Sequence, residues 1–328
     1  MSAPAVSLPS EAFDTLSRGA LLTLRNPLTR PPFFLGLELV MITCAALTFA
    51  HAWRARRAGE SWPLLLWTST FAYGLLIELA SYNFVDNFTH GPFSVMFYRD
   101  KLPLYVSVLY PVFIYTAAVT VRRFGLSRWA EPFAIGLLIV AIDFPFDVCG
   151  PIARWWVWAD NDPNIAYRWY GVPVTSYYWH LAFGGILTLL CRALSSFVAR
   201  RTSPLATSLA LAFPIGAGTM ILGVIAFLPF HLLKRAHLPD GLIVGALLAV
   251  SGVITIAAKK DLRRSDAGLP SILFLWFGYH LLVASVLAAR GSLSAGRFVV
   301  ILAALVIAAS YQLLGRRLTS SAASAVAE

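Results

Sequence analysis

Two aspartates, Asp143 and Asp147, stand four residues apart at the end of a long apolar run. Residues at positions i and i+4 of an α-helix lie on one face, so a helix that continues through this segment presents both carboxylates together. Pro145 stands between them, and a proline inside a helix removes a backbone donor and clashes with the preceding turn, which predicts a kink or a helix end here. Paired carboxylates suit proton transfer, in which one group donates a proton while the other stays ionised.

A second acidic pattern lies in an earlier apolar region. Glu78, Tyr82 and Asp86 recur at intervals of four residues, which predicts a polar stripe on one helix face. Glu78 falls within a stretch long enough to cross a bilayer, where a carboxylate costs at least ~2.5 kcal/mol. We therefore expect Glu78 to be neutral, to be paired, or to face a water-filled cavity. Glu38, in the first apolar stretch, is equally open to a functional role and to an ion pair with a loop arginine.

Aromatic residues are unusually dense between residues 143 and 180. Their ring faces could stabilise a nearby positive charge by cation–π attraction. They could instead form an aromatic belt at a membrane interface, with the aspartates capping helix ends. The residues expected to line a substrate pocket are Trp155, Trp156, Trp158, Tyr170, Trp179 and His180, together with Tyr82, Tyr98 and Arg99 from the earlier polar segment.

These groups together favour acid–base chemistry in an apolar setting. A carboxylic acid buried among apolar groups favours its protonated form and can donate that proton to a substrate. A second carboxylate, kept ionised by Arg99 or Arg154, could take a proton from water. Protonation of an isoprenoid double bond would give a carbocation that tryptophan faces stabilise, and such a substrate would enter from lipid.

Patterns typical of other catalytic chemistry are missing from the sequence. It contains no HExxH, CxxC or HxxxH spacing, no serine-hydrolase motif and no glycine-rich phosphate loop. Cys44, Cys149 and Cys191 fall in or beside apolar stretches without paired spacing, so we expect them to pack in the core. We therefore expect no bound metal and no cofactor.

The composition is that of a polytopic membrane protein. Of the 328 residues, 58% are hydrophobic and 13% are charged, whereas an ordinary globular domain carries about 25% charged residues. An apolar run of about 18 residues can cross the hydrocarbon core. The sequence holds nine such stretches, at roughly 33–51, 63–82, 103–121, 132–149, 174–198, 207–230, 241–258, 270–289 and 298–315.

The net charge of +10 does not indicate a nucleic-acid partner, because the basic residues alternate by loop. The loops after the odd-numbered stretches carry most of the arginines and lysines, and such loops face the cytoplasm by the positive-inside rule. The acidic and aromatic residues therefore belong to the non-cytoplasmic side. Arginine outnumbers lysine, which favours a GC-rich bacterial source and an inner membrane.

The chain divides into three segments by composition. Residues 1–32 form an N-terminal amphipathic segment, within which residues 10–24 predict an interfacial helix. Residues 33–316 form an all-α, polytopic transmembrane bundle of nine spans, and residues 317–328 form a small, polar, disordered tail. His280, in the eighth stretch, is expected to make a hydrogen bond between helices.

Residues 70 to 190 contain a series of motifs that resembles the membrane-integral carotenoid hydratases of the bisanhydrobacterioruberin hydratase type. The resemblance implies addition of water across a terminal isoprenoid double bond of a long polyene. The residues that carry it are Glu78, Gly91, Pro92, Phe93, Tyr98, Asp143, Asp147, Pro151, Trp156, Trp158, Tyr170, Gly171, Val172, Pro173 and Trp179.

The sequence thus predicts a membrane enzyme with named roles. Asp143 or Asp147 would donate a proton, Glu78 or Asp86 would act as base or orient water, and Arg99 would be their charge partner. The partners would be a lipophilic isoprenoid substrate and membrane lipid. A membrane terpene cyclase that uses the same protonation, and a transporter without chemistry, remain open, as do the substrate, its stereochemistry and the oligomeric state.

Overall fold

The structure is a computed structural model that describes residues 21–159, 162–258 and 269–324. Within these residues, nine helices are long and apolar enough to cross a membrane. The chain is therefore an all-α, polytopic helical bundle, as the sequence predicts. The helices are α1 Pro32–Arg57, α2 Trp62–Val85, α3 Leu104–Arg122, α4 Glu131–Ala153, α5 Val174–Ala199, α6 Pro204–Arg235, α7 Asp240–Ala257, α8 Pro270–Ala289 and α9 Ala295–Ser324.

Helix α4 occupies the centre of the bundle. It packs against α3, α5, α7, α8 and α9, and 83% of its most apolar stretch is buried. Only apolar residues stand between Glu131 and Asp143, and a helix that is hydrophobic all round is a buried helix. Gly136 allows α5 to approach closely, because a Cβ there would lie 2.7 Å from the Cα of Leu181.

Helix α4 continues through Pro145 and Pro151 and ends at Ala153. Pro145 therefore does not end helix α4. Membrane helices tolerate prolines because neighbouring helices and local adjustments satisfy the freed backbone groups. Asp143 and Asp147 consequently share one helix face, as their spacing predicts, and present oxygens within 4.8 Å of each other.

Two helices contain π-helical turns close to these aspartates in the fold. Helix α2 ends in one, Ser81–Val85, and α3 contains another, Pro111–Tyr115. The turn in α3 begins at a proline, whose missing N–H interrupts the regular α-helical hydrogen bonds. Turns of this kind are frequent at functional sites.

Short strands connect the helices at the end of the bundle that holds the aspartates. Each pair is antiparallel, and residues Tyr170 and Gly171, both with positive φ, form the turn of one hairpin. The strands are β1 Leu22–Leu24, β2 Phe88–His90, β3 Val95–Phe97, β4 Leu102–Pro103, β5 Trp156–Trp158, β6 Arg168–Trp169 and β7 Val172–Pro173, paired as β1–β3–β4, β2–β5 and β6–β7.

The two ends of the chain differ from expectation where the structure describes them. Most of the interfacial helix predicted for residues 10–24 lies outside the described residues, but residues 22–24 form strand β1, which pairs with Val95–Phe97. Residues 22–24 are therefore a strand, where the sequence predicts the end of a helix. The tail predicted to be disordered from residue 317 continues α9 as far as Ser324, and residues 325–328 lie outside the described part.

Candidate functional site

A cavity of about 340 Å³ opens among α2, α3, α4, α5 and α6 at the end of the bundle that carries the strands. Besides Asp162 and His231, the cavity is lined by three buried carboxylates, from Glu78, Asp143 and Asp147, and by the imidazoles of His90 and His180. These residues come from three helices and one strand. The structure therefore brings together acidic groups that are far apart in the sequence.

The first cluster joins α4 to α5. Nε2 of His180 lies 2.7 Å from Oδ2 of Asp143, and the hydroxyl of Ser176 donates to Oδ2 of Asp147 at 2.7 Å. Both aspartates are buried. Ser176 and His180 stand one turn apart near the start of α5, so they present their side chains to the same part of α4.

The second cluster is built around Glu78 on α2. Its two oxygens accept hydrogen bonds from the hydroxyls of Tyr82, at 2.6 Å, and Tyr110, at 2.7 Å. Nε2 of His90 lies 3.7 Å from Oε2 of Glu78, which is too long for a hydrogen bond. That nitrogen is buried and has no hydrogen-bond partner in the described structure. A small polar group such as water, placed beside these two atoms and within reach of both, would supply the partner that Nε2 lacks.

Aromatic rings form much of the cavity wall. The antiparallel pairing of β2 with β5 sets His90 opposite Trp156 and Phe88 opposite Trp158, and both tryptophans line the cavity. Gly150 on α4 makes room for Trp156, since a Cβ at that glycine would lie 2.0 Å from the indole ring.

The third tryptophan of the wall, Trp179, follows Ser176 and precedes His180 on α5. Its ring stacks on Phe183 with centroids 4.3 Å apart, and its Nε1 donates to the hydroxyl of Tyr73 at 3.2 Å. The indole is thus fixed in orientation while one side of it lines the cavity. A wall of this kind can hold an apolar chain and stabilise a transient positive charge.

The cavity reaches the outer surface of the bundle between the end of α2 and helix α6. Val85, Val224 and Leu228 line it and are nonetheless 52%, 60% and 52% exposed. These side chains are apolar and belong to helices that can span a membrane, so the surface around the opening suits lipid rather than water. An apolar molecule could therefore enter sideways from a bilayer.

Histidines, rather than the expected arginines, face the carboxylates. No lysine or arginine lines the cavity among the described residues. Arg99 and Arg154, the expected charge partners, are exposed and have positive φ values of 58° and 61° in turns outside the cavity. The assignment of Arg99 as charge partner is therefore wrong, because Arg99 is exposed in a turn and does not line the cavity that holds the acidic groups.

Five more of the predicted site residues do not line the cavity, and Tyr82 is one of them. Asp86 is exposed and, with φ at 52°, ends the π-helical turn of α2, so the i, i+4, i+8 stripe breaks before it. Tyr98 donates to Asn83 at 2.7 Å, and Tyr170 is half exposed in its hairpin turn. Trp155 is fully buried behind the wall, where it stacks against Phe146.

Tyr82 lies outside the lining, and its hydroxyl donates a hydrogen bond to Glu78. Of the other predicted residues, Glu78, Asp143, Asp147, Trp156, Trp158, Trp179 and His180 all line the cavity. The sequence reasoning did not assign His90, Tyr110 or Ser176 to the site. The positions of these three side chains depend on contacts between helices. Only His90 could have been found from the sequence, because the Thr-His-Gly-Pro-Phe run places its imidazole next to a tight turn.

Two other ionisable residues have structural partners outside the cavity. Both oxygens of Glu38 accept hydrogen bonds from Ser94, one from its backbone N–H at 2.8 Å and one from its hydroxyl at 2.6 Å. Nδ1 of His280 bonds the carbonyl of Trp276 in its own helix, so the expected bond between helices is wrong. Trp276 makes that link instead, by donating to the carbonyl of Ile142 at 2.9 Å.

The cluster of Asp143, Asp147 and His180 also has the donor atoms of a small cation site. One ligand atom from each lies within 4.8 Å of the other two, and carboxylate and imidazole ligands suit several divalent metals. A cation bound through Nε2 of His180 would displace the hydrogen bond to Asp143, since one nitrogen cannot both donate a proton and coordinate a metal. The hydrogen-bonded arrangement favours proton transfer between these groups.

Comparison with known proteins gives a family without an activity. A family model described as a domain of unknown function (DUF7802) matches residues 23–290. A search of curated proteins and a search of solved structures gave no match. The residues that line the cavity all fall between Ile77 and His231, inside the matched region. The chain belongs to the DUF7802 family, and the cavity with its two acidic clusters lies within the domain that defines that family.

Proposed function

We propose that this chain is an integral membrane enzyme that performs acid–base chemistry on an isoprenoid lipid, and that the reaction is hydration of a terminal carotenoid or terpenoid double bond. The observation that carries the proposal is the meeting of two acidic clusters from separate helices around one aromatic cavity. The resemblance of residues 70 to 190 to carotenoid hydratases supports the same reaction, because Glu78, Asp143 and Asp147 are among its matching residues.

The cluster on α4 and α5 is the proton-donating side. Two carboxylates and one imidazolium in an apolar site balance their charges when one carboxylate holds a proton. Asp143 pairs with His180, which leaves Asp147 as the acid. Asp147 would transfer its proton to the terminal carbon of the double bond, and the positive charge would form on the neighbouring, more substituted carbon.

The cluster around Glu78 is the water side. Both oxygens of Glu78 accept hydrogen bonds from hydroxyl groups. Nε2 of His90, which has no hydrogen-bond partner in the described structure, lies 3.7 Å from the Glu78 carboxylate. Water bonded to both groups would add to the cation while its released proton passes to Glu78 or His90. The substrate gains one water, and the enzyme returns to its starting state when that proton reaches Asp147.

The size of the cavity indicates how a long substrate would bind. A volume of about 340 Å³ is at the small end of the roughly 300–1,000 Å³ typical of ligand pockets. Only the end of a long polyene would fit inside it. The rest of the chain would leave through the opening at Val85, Val224 and Leu228 and lie in the bilayer.

The arrangement favours an enzyme over a transporter. A transporter needs a polar path between the two faces of the membrane, with sites near its middle. In α4, the acidic residues Glu131 and Asp143 are separated only by apolar residues, most of them buried. The cavity therefore has no polar continuation along the central helix.

A terpene cyclase shares the proton-donating side and differs in the fate of the cation. The unpartnered His90 nitrogen favours hydration, because a cyclase has no need to hold water beside the cation. We further propose a bacterial inner membrane as the location, with the cavity toward the non-cytoplasmic side, because the basic loops lie at the opposite ends of the helices.

The test compares lipid extracts of cells that make acyclic carotenoids, with and without this protein. Hydration predicts a new product heavier than its precursor by one water, whereas cyclisation predicts a product of unchanged mass. If neither product appears with any acyclic isoprenoid supplied, although the protein is present in the membrane, the proposal is wrong.

A further inference from the structure

Two polar side chains at one end of the strand pair β2–β5 line the cavity and lack a hydrogen-bond partner there. Asn87 immediately precedes β2, and Trp158 is the last residue of β5. Oδ1 of Asn87 and Nε1 of Trp158 are both buried, and neither has a partner in the described structure. Both residues line the cavity. These two atoms have no part in the proposed reaction, in which His90 and Glu78 hold the water.

The strand pairing keeps the two residues next to each other. Trp158 stands opposite Phe88 in the antiparallel pair. The backbone N–H of Ala159 donates to the carbonyl of Asn87 at 2.8 Å, which extends the pairing by one position. A ligand at this end of the strand pair therefore meets one buried donor and one buried acceptor.

These two atoms define the chemistry of the group that would satisfy them. An indole N–H can only donate, and an amide oxygen can only accept. A hydroxyl satisfies both, because its oxygen accepts one hydrogen bond while its hydrogen donates another. An ether would satisfy only the indole, and an ammonium group would satisfy only the amide. A carboxylate or a phosphate would meet no lysine or arginine among the described residues of the lining.

The surroundings indicate that an apolar chain carries this hydroxyl. Asn87 stands two residues after Val85, the exposed apolar residue at the lateral opening. Strands β2 and β5 follow the ends of membrane-spanning helices, so in a bilayer they lie near the interface, where a lipid alcohol keeps its hydroxyl.

We propose that Asn87 and Trp158 bind the hydroxyl of an isoprenoid alcohol whose chain occupies the cavity and its lateral opening. The isoprenoid class rests on the proposed function, and the product of the proposed hydration is such an alcohol. The hydroxyl itself is inferred from the two buried atoms that lack partners.

Competition binding tests this site without turnover. The full-length protein is purified, reconstituted in phosphatidylcholine nanodiscs and loaded with tritiated geranylgeraniol, and unlabelled competitors are then added. Each neutral hydrogen bond contributes about 2- to 12-fold in affinity, so geranylgeraniol should compete roughly tenfold better than the same chain without its oxygen. Geranylgeranyl methyl ether accepts a hydrogen bond but cannot donate one, so it should fall between the two.

Two variants and a matched control assign the preference to these side chains. Trp158→Phe removes the N–H and keeps an aromatic ring, and Asn87→Leu removes the amide at nearly constant size. Each should lower the preference for the alcohol over the hydrocarbon by about threefold or more. The control is Trp179→Phe in the same cavity wall, where Nε1 already donates to Tyr73. It should weaken both ligands alike and leave the preference unchanged.

Equal competition by the alcohol, the ether and the hydrocarbon would overturn this site. An unchanged preference in both Trp158→Phe and Asn87→Leu, with folded protein on size exclusion, would overturn it as well. Failure of the proposed function gives a different result. A protein that prefers the alcohol but hydrates no acyclic carotenoid would reject the hydration and keep the hydroxyl site, whereas hydration without this preference would reject the hydroxyl site alone.

Discussion

At the scale of single residues, the distinguishing feature of the site is that its charges are balanced by histidines. His180 bonds Asp143 and His90 lies beside Glu78, and the described lining contains no arginine or lysine. A histidine can give up or accept a proton near neutral pH, whereas an arginine cannot. Pairing with histidine therefore suits a site that must move protons during turnover.

Asp147 is the residue whose loss should be most costly to activity. Asp147→Asn keeps the shape and the hydrogen bond from Ser176 but removes the proton that the reaction needs. We expect turnover of an acyclic carotenoid to fall by roughly 100-fold or more, with little change in the yield of folded protein. Asp86→Asn, at an exposed position outside the cavity, should keep full activity. Full activity of Asp147→Asn in the same assay would remove Asp147 from the role of acid.

His90 should affect the addition of water but not the protonation of the substrate. In His90→Gln the donor side of the cavity is intact, so deuterium from heavy water should still enter the terminal group of recovered substrate. The hydrated product should fall at least tenfold, because water is no longer held beside the cation. Asp147→Asn should lose both signals. If His90→Gln also loses deuterium exchange, the two clusters do not have separate roles.

At the scale of elements, the site depends on how closely the strands after α2 and α4 pack against the helices. Trp156 lies against Gly150 of α4 and opposite His90 in the β2–β5 pair. Because one short strand pair positions both an indole and an imidazole, a shift of β5 would disturb the aromatic wall and the water side together.

Gly150→Ala tests this packing. A Cβ would lie 2.0 Å from Trp156, so the indole must move, and overpacking of this kind costs about 1–3 kcal/mol. We expect a lower unfolding midpoint and a loss of activity. The control is Gly278→Ala on α8, where nothing lies within 4 Å of the added carbon and where alanine favours a helix. Equal midpoints for the two variants would show that the Trp156 contact does not constrain β5.

The sequence predicts the elements of this fold better than it predicts their contacts. Apolar runs long enough to cross a bilayer identify all nine long helices in the described part of the chain, and the four-residue spacing of Asp143 and Asp147 correctly places them on one face. The same spacing fails for Asp86, because a π-helical turn and a positive φ end α2 before it. Periodicity carries no information on where a regular helix gives way to a turn.

Contacts between helices account for the rest of what the sequence does not predict. Tyr110 and Glu78 are 32 residues apart in the chain, yet they share a hydrogen bond of 2.7 Å. Arg99 follows a polar loop and has the right charge, but three consecutive residues with positive φ, Tyr98 to Asp100, turn the chain there. The partner of a buried carboxylate is decided by packing, which a single sequence does not reveal.

At the scale of the whole molecule, the cavity lies at one end of the bundle and opens through its side. The opening is bordered by Val85 on α2 and by Val224 and Leu228 on α6, in helices that can span a membrane. An apolar molecule could therefore reach the carboxylates without leaving the bilayer.

Val224→Trp tests the lateral entrance. An indole at this exposed lining position should narrow the opening, which should lower turnover of a long carotenoid strongly and that of a short isoprenoid alkene only slightly. Val250→Trp on α7, at a similarly exposed position away from the cavity, should change neither. Equal loss for the long and the short substrate would indicate damage to the site rather than a blocked entrance.

The central claim is that two acidic clusters from separate helices act on one substrate inside this cavity. The most direct test is to incubate the purified protein in lipid with an acyclic carotenoid in water labelled with heavy oxygen, and to measure the product by mass spectrometry. We predict that the wild-type protein adds one labelled oxygen, and that both Asp147→Asn and Glu78→Gln abolish this product while remaining folded. Unchanged carotenoid with the folded wild-type protein, or labelled product from both variants at the wild-type rate, would contradict the account.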